Sequence, residues 1–125
     1  MINFETPIDF NIIKQDDDTK VEYFDLMELS QGGPEVGGIK INNETIKNYR
    51  FGGPCIISKE YVYIPVYIKK LCVSGFRIAE INIKTLEVSF ISKIERFVVI
   101  DKVIDNNLYY YLNLDKTVSK TIKLK

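Results

Sequence analysis

The sequence contains no histidine, and that removes most of the chemistry its other residues could have joined. Without an imidazole there is no Ser-His-Asp or Cys-His relay, no histidine acid–base step and no usual zinc site. The groups left are Cys55, Cys72, the run Asp16-Asp17-Asp18, carboxylate pairs such as Glu80 with Glu95, and the segment Gly32-Gly33-Pro34-Glu35-Val36-Gly37-Gly38. A nucleophilic thiol needs a base to lower its pKa, and nothing near either cysteine in sequence supplies one. Two structural thiols in a reducing compartment is the plainer reading, a disulfide the alternative. The aspartates are followed by Thr19-Lys20-Val21, with neither the glycine nor the distant glutamate of a calcium loop, so they read as a solvated turn. The glycine-rich segment lacks the Gly-Lys-Ser/Thr end of a phosphate loop and reads as tight turns. Glu80 and Glu95 could serve glycoside hydrolysis only at a particular separation, which sequence does not give. The expectation is a chain with no catalytic residues, no metal and no cofactor.

Binding is better represented. Formal net charge is zero, yet up to position 35 there are nine acids against two lysines, an excess of seven negative charges that the rest of the chain balances. Asp16, Asp17, Asp18, Glu22, Asp25, Glu28 and Glu35 are the candidate partner-binding residues, since a surface of one sign steers an oppositely charged partner. The alternative face is aromatic. Tyr61, Tyr63 and Tyr67 fall on one side of a predicted strand, with Arg50, Lys59, Lys69 and Lys70 near them in sequence, and Tyr109-Tyr110-Tyr111 form a second cluster. Such residues stack on single-stranded nucleic acid or anchor protein interfaces. The plain reading is that tyrosine suits the half-exposed face of a sheet.

The elements that must carry these residues are strands. Tyr61–Lys69 places Val62, Ile64, Val66 and Ile68 on one side and the tyrosines with Pro65 on the other; Pro65 predicts an edge strand or a bulge. Phe76–Ile83 and Leu86–Ile91 predict a hairpin. Ile94–Ile104 and Leu108–Leu114 predict another around Asp105-Asn106-Asn107, and Val118–Leu124 continues the meander. Ile8–Lys14 reads as a strand. Lys20–Ser30 reads either as a strand with Glu22, Phe24, Leu26 and Glu28 on one face or as a short helix capped by Asp18 and stopped at Gly32-Gly33-Pro34; the strand is preferred. The second Gly-Gly-Pro, at Gly52-Gly53-Pro54, hints at repeated strand-and-turn units, but the chain is too short for a propeller.

A length of 125 residues, 46% hydrophobic and 27% charged, predicts one domain spanning 1–125 that can bury a core without disulfides. The fold expectation is mostly β: a single antiparallel domain, whether sandwich, small barrel or curved meander, with at most one short helix near residues 19–31. The N-terminus, Met1-Ile2-Asn3-Phe4-Glu5-Thr6-Pro7, has no basic region followed by an apolar stretch. The longest apolar runs fall far short of the roughly 20 residues a membrane helix needs. The expected location is cytoplasmic, with no membrane partner.

In size, in its Ile/Asn/Lys-rich makeup and in the acidic stretch from Asp16 to Glu35, the chain resembles the immunity proteins of bacterial contact-dependent growth inhibition and related polymorphic toxin systems. The resemblance covers its general character and no diagnostic motif, so no family residue carries over. It implies a cytoplasmic, non-catalytic inhibitor whose partner is a cognate toxin, often a nuclease. Such a protein would cover the toxin's basic cleft with an acidic face. A nucleic-acid- or small-ligand-binding β domain using the Tyr/Lys face is the alternative. Zero net charge and the lack of an RNA-binding signature argue against nucleic acid as the partner.

Overall fold

The computed structural model describes residues 5–70 and 72–125. Met1 to Phe4, within the N-terminus read above as lacking a secretory signal, lie outside the described residues. Eleven strands are formed among them: β1 (Ile13–Asp16), β2 (Thr19–Glu28), β3 (Glu35–Ile41), β4 (Glu44–Phe51), β5 (Ile56–Ser58), β6 (Tyr61–Lys69), β7 (Ser74–Asn82), β8 (Val88–Phe90), β9 (Val99–Ile104), β10 (Asn107–Tyr111) and β11 (Ser119–Lys123). Every pairing is antiparallel. The first sheet runs β1-β2-β3-β4-β6-β7-β8, with β5 also on β6; the second runs β11-β10-β9. The first sheet curls into a half-barrel and the second is a small separate sheet. No helix forms among the described residues, and none is long and apolar enough to cross a membrane.

The two sheets explain why β6 is apolar on both sides. Val62, Ile64 and Val66 face one core with Val21, Tyr23, Ile39, Ile41, Phe51, Ala79 and Ile81, inside the curl of the first sheet. On the other side Tyr63 enters a second core with Phe76, Ile78, Val98, Ile100, Leu108 and Tyr110, against which Tyr61 and Tyr67 also pack. The middle of β6 and β7 is therefore a wall between two cores, and a strand buried on both faces needs apolar residues at successive positions.

The expected hairpins form, with differences that have physical causes. Asp105 and Asn106 take left-handed φ values of 52° and 62° between β9 and β10, the geometry of a two-residue type I′ turn. The predicted strand over Ile94–Ile104 is split. Glu95 bridges to Phe76 of β7, and the chain joins the second sheet only from Val99, so Ile94–Val98 is the crossing between sheets. The predicted strand over Ile8–Lys14 is shortened to start at Ile13. Thr6 and Asp9 close a turn through reciprocal backbone hydrogen bonds of 3.0 and 3.1 Å, and Phe10 is drawn into the first core. Its ring lies so close to Gly53 that a Cβ there would sit 2.4 Å from it.

Lys20–Ser30 is strand through Glu28, as preferred, but its face assignment changes. The register on β3 slips by one residue between Phe24 and Met27, with Asp25 left-handed at φ 52°. This bulge reverses the alternation. Glu22 and Phe24 lie on the face opposite Val21 and Tyr23, whereas Leu26 turns inward to pack on the first core. Pro65 is neither at an edge nor in a bulge, since β6 pairs with β7 along its whole length. On the other side β4 reaches only Val66 and β5 only Tyr63. The Pro65 carbonyl accepts from Gly52 N at 2.9 Å, so its donor-less nitrogen points into the gap between β4 and β5, where a missing N–H costs no ladder bond. The two Gly-Gly-Pro segments are not repeats of one unit. The first closes the β2–β3 hairpin; the second lets the chain leave β4 and return beside the same strand, β6, as β5.

Candidate functional site

The seven acids singled out in the sequence all lie on the β1–β3 side of the first sheet. Asp16 closes β1, and Asp17 and Asp18 form the tip of the β1–β2 hairpin, where Asp16 pairs with Thr19. Glu22 stands on the outer face of β2, Asp25 is the bulge residue, and Glu28 ends β2 directly across from Glu35, which begins β3. At about 3.3 Å per residue, β2 spreads these carboxylates over roughly 30 Å. Basic residues offset only part of the charge. Lys20 pairs with Glu22 at 3.5 Å and Lys14 with Glu5, and Lys40 lies across from Glu22. Asp16, Asp17, Asp18, Asp25, Glu28 and Glu35 make no ion pair among the described residues. The Glu28 carboxylate accepts from Gly32 N at 3.0 Å, which ties the β2–β3 loop to the acidic end. No group of three or more Cys, Asp and Glu side chains among the described residues is arranged to hold a metal.

Tyr61, Tyr63 and Tyr67 do share one face of β6, but that face is covered by the second sheet. Tyr63 is 3% exposed and donates its hydroxyl to Glu80 Oε2 at 2.9 Å, with Glu80 opposite it on β7. Burial first, then that hydrogen bond, pushes its pKa upward. Tyr67 packs on Phe76 with ring centroids 5.6 Å apart. The tyrosines of β6 are thus largely packing residues, which corrects the picture of an open stacking platform. Tyr61 and Tyr63 still reach a cleft of about 400 Å³ at the junction of the sheets, with Lys59, Asn106, Leu124 and Lys125 on its walls. Glu80 and Glu95 have separate partners, Glu80 with Tyr63 and Glu95 with Lys120 at 3.5 Å.

The cysteines are both free, Cys55 buried and Cys72 exposed. Burial pushes the Cys55 thiol up to about 11, partly opposed by Tyr23, so it is a protonated core residue and not a nucleophile.

One surface feature had no counterpart in the sequence reading. A groove of about 790 Å³ runs between the end of β2, the outer half of β4 and the end of β6, lined by Leu29, Asn48, Tyr49, Arg50, Tyr67, Ile68 and Lys69. It exists because β4 bulges. Ile39 pairs with Ile46, yet Gly37 pairs with Phe51, so Lys47–Arg50 loop outward, with Asn48 left-handed at φ 76°. A sequence signal was present: Ile46 and Phe51 are five positions apart, an odd spacing that puts them on opposite faces of a regular strand, yet both enter the first core. Comparison with known proteins found no matching family, no matching curated protein and no matching solved structure.

Proposed function

We propose that this chain is a non-catalytic protein-binding module of the immunity type, which neutralises a cognate toxin by laying its acidic β1–β3 edge over a basic cleft. The observation that carries the reading is that seven acids scattered over twenty positions of sequence share one side of one sheet, six of them without an ion-pair partner among the described residues. A run of roughly 30 Å matches the width of a standard interface, about 800 Å² per partner. Exposed Met27 and Leu29 adjoin its far end and supply the apolar contact that charge alone does not, since exposed charges set association rate and selectivity more than affinity. A nuclease cleft, built to hold phosphates, is the surface such an edge would imitate.

The test is to capture partners with the tagged chain, including the products of adjacent genes, and to express each captured protein with and without it. The reading predicts one protein that is toxic alone and harmless when co-expressed. Protection should fail when Asp17, Asp18, Glu28 and Glu35 are changed to Lys. Recovery of nucleic acid with no protein partner would remove it. The cleft between the sheets favours one second reading, a small anionic ligand held by Lys59 and Lys125 beside Tyr61. A ligand-induced change in tyrosine fluorescence that is lost in Tyr61→Phe would detect it.

A further inference from the structure

The groove beside β4 differs from the acidic edge in sign and in backbone geometry. Arg50 and Lys69 stand exposed on its walls, and neither forms an ion pair among the described residues. Among the described residues, Arg50 reaches the Met27 sulfur. The backbone of β4 is also irregular beside these cations. On the β6 side, β4 pairs only through Arg50 and Phe51, and on the β3 side Lys47–Arg50 have no register partner. Lys47, Asn48 and Tyr49 are thus exposed residues of a bulge with no register partner on β3 or β6, and a second hollow lined by Thr45–Tyr49, Leu86 and Val88 continues the groove along β4. Grooves that set cations beside apolar side chains hold peptide segments, with those side chains setting specificity.

We propose that this groove docks an extended segment of a protein partner in which carboxylates alternate with apolar side chains. The carboxylates meet Arg50 and Lys69, and the apolar side chains lie against Leu29, Tyr49 and Ile68. A single-stranded nucleic acid fits less well. Tyr49 is edge-on to Phe51 and Phe90 and Tyr67 lies against Phe76, so neither ring is the open platform that base stacking uses. The groove meets the acidic edge at Leu29, and variants of Arg50 and Lys69 against variants of Asp17 and Asp18, at the far hairpin tip, separate this proposal from the toxin reading.

The isotope-labelled full chain can be titrated with three probes: a short peptide alternating glutamate and leucine, one of equal length alternating lysine and leucine, and oligodeoxythymidine. The glutamate–leucine peptide should shift the amide resonances of Asn48, Tyr49, Arg50 and Lys69 saturably. Its affinity should fall roughly tenfold or more in the Arg50→Gln/Lys69→Gln variant, because two charge-assisted contacts are lost, and be unchanged or improved in Asp17→Lys/Asp18→Lys. Absence of saturable shifts at those residues, equal binding by the double Gln variant, or tighter binding of the lysine peptide or the oligonucleotide at the groove would each overturn the proposal.

Discussion

Tyr23 and Tyr63 each bury a ring and each direct the hydroxyl to one fixed acceptor. Tyr23 donates to the Gly52 carbonyl at 2.7 Å, holding the start of the β4-to-β5 link against the first core. Tyr63 donates to Glu80 across the β6–β7 pair. Tyr23→Phe leaves a carbonyl unsatisfied inside the protein and should cost about 1–2 kcal/mol in urea unfolding; Tyr63→Phe, whose partner Glu80 is only part-buried, should cost about 1 kcal/mol. Equal, negligible costs would show that neither hydroxyl matters to stability. Cys55 lies beside Tyr23 and gives a pH signature. Its folded pKa of about 11 is above its ordinary value of 9.0, so the native state holds the proton more tightly than the unfolded chain does. The stability linked to that proton is fully present below pH 9 and is lost as pH rises toward 11. Urea midpoints should therefore fall between pH 8.5 and 10.5, and less steeply in Cys55→Ala. At pH 8, a thiol reagent should modify Cys72 at once and Cys55 only on unfolding.

At the scale of elements, the joint between the two sheets is the place to test. Gly75 begins the buried part of β7, and a Cβ there would lie 2.4 Å from the Glu95 carbonyl. That carbonyl accepts from Phe76 N at 2.7 Å, while Glu95 N donates back to Phe76 O at 2.8 Å. Backbone cannot yield as a side-chain tip can, so Gly75→Ala should break the bridge and cost about 2 kcal/mol or more. Amide exchange should rise at Glu95 and Phe76 and through the second sheet, while β2–β3 amides stay protected. Strands and hairpins were legible wherever local pattern determines them, as in the alternation of Tyr61–Lys69 and the Asp105-Asn106 turn. The bulges at Asp25 and Asn48, the split of Ile94–Ile104 and the gap opposite Pro65 were not, because each depends on which distant strand lies alongside. The same limit applied to the site. The acids could be named one by one, and their gathering on one edge follows from strand order. The groove residues Asn48 and Tyr49 were missed because a bulge places them.

At the scale of the whole molecule, seven of the seventeen acids line one edge of the large sheet, and the last strand of the small sheet and the residues after it carry Lys120, Lys123 and Lys125. In about 0.15 M salt the screening length is about 8 Å, so the hairpin tip at Asp16-Asp17-Asp18 and the Glu28–Glu35 end act as two separate patches and not as one long field. A partner matched to both would be steered at each end, and reversing either end alone should slow association by part of the full effect. The decisive measurement is the association rate of the captured partner across a salt series, for the native chain and for Asp17→Lys/Asp18→Lys/Glu28→Lys. The account predicts a native rate that falls roughly tenfold or more between about 0.05 and 0.5 M salt, and a variant that associates slowly at low salt with little further dependence. A native rate indifferent to salt, matched by the variant, would contradict the claim that the acidic edge is the binding face.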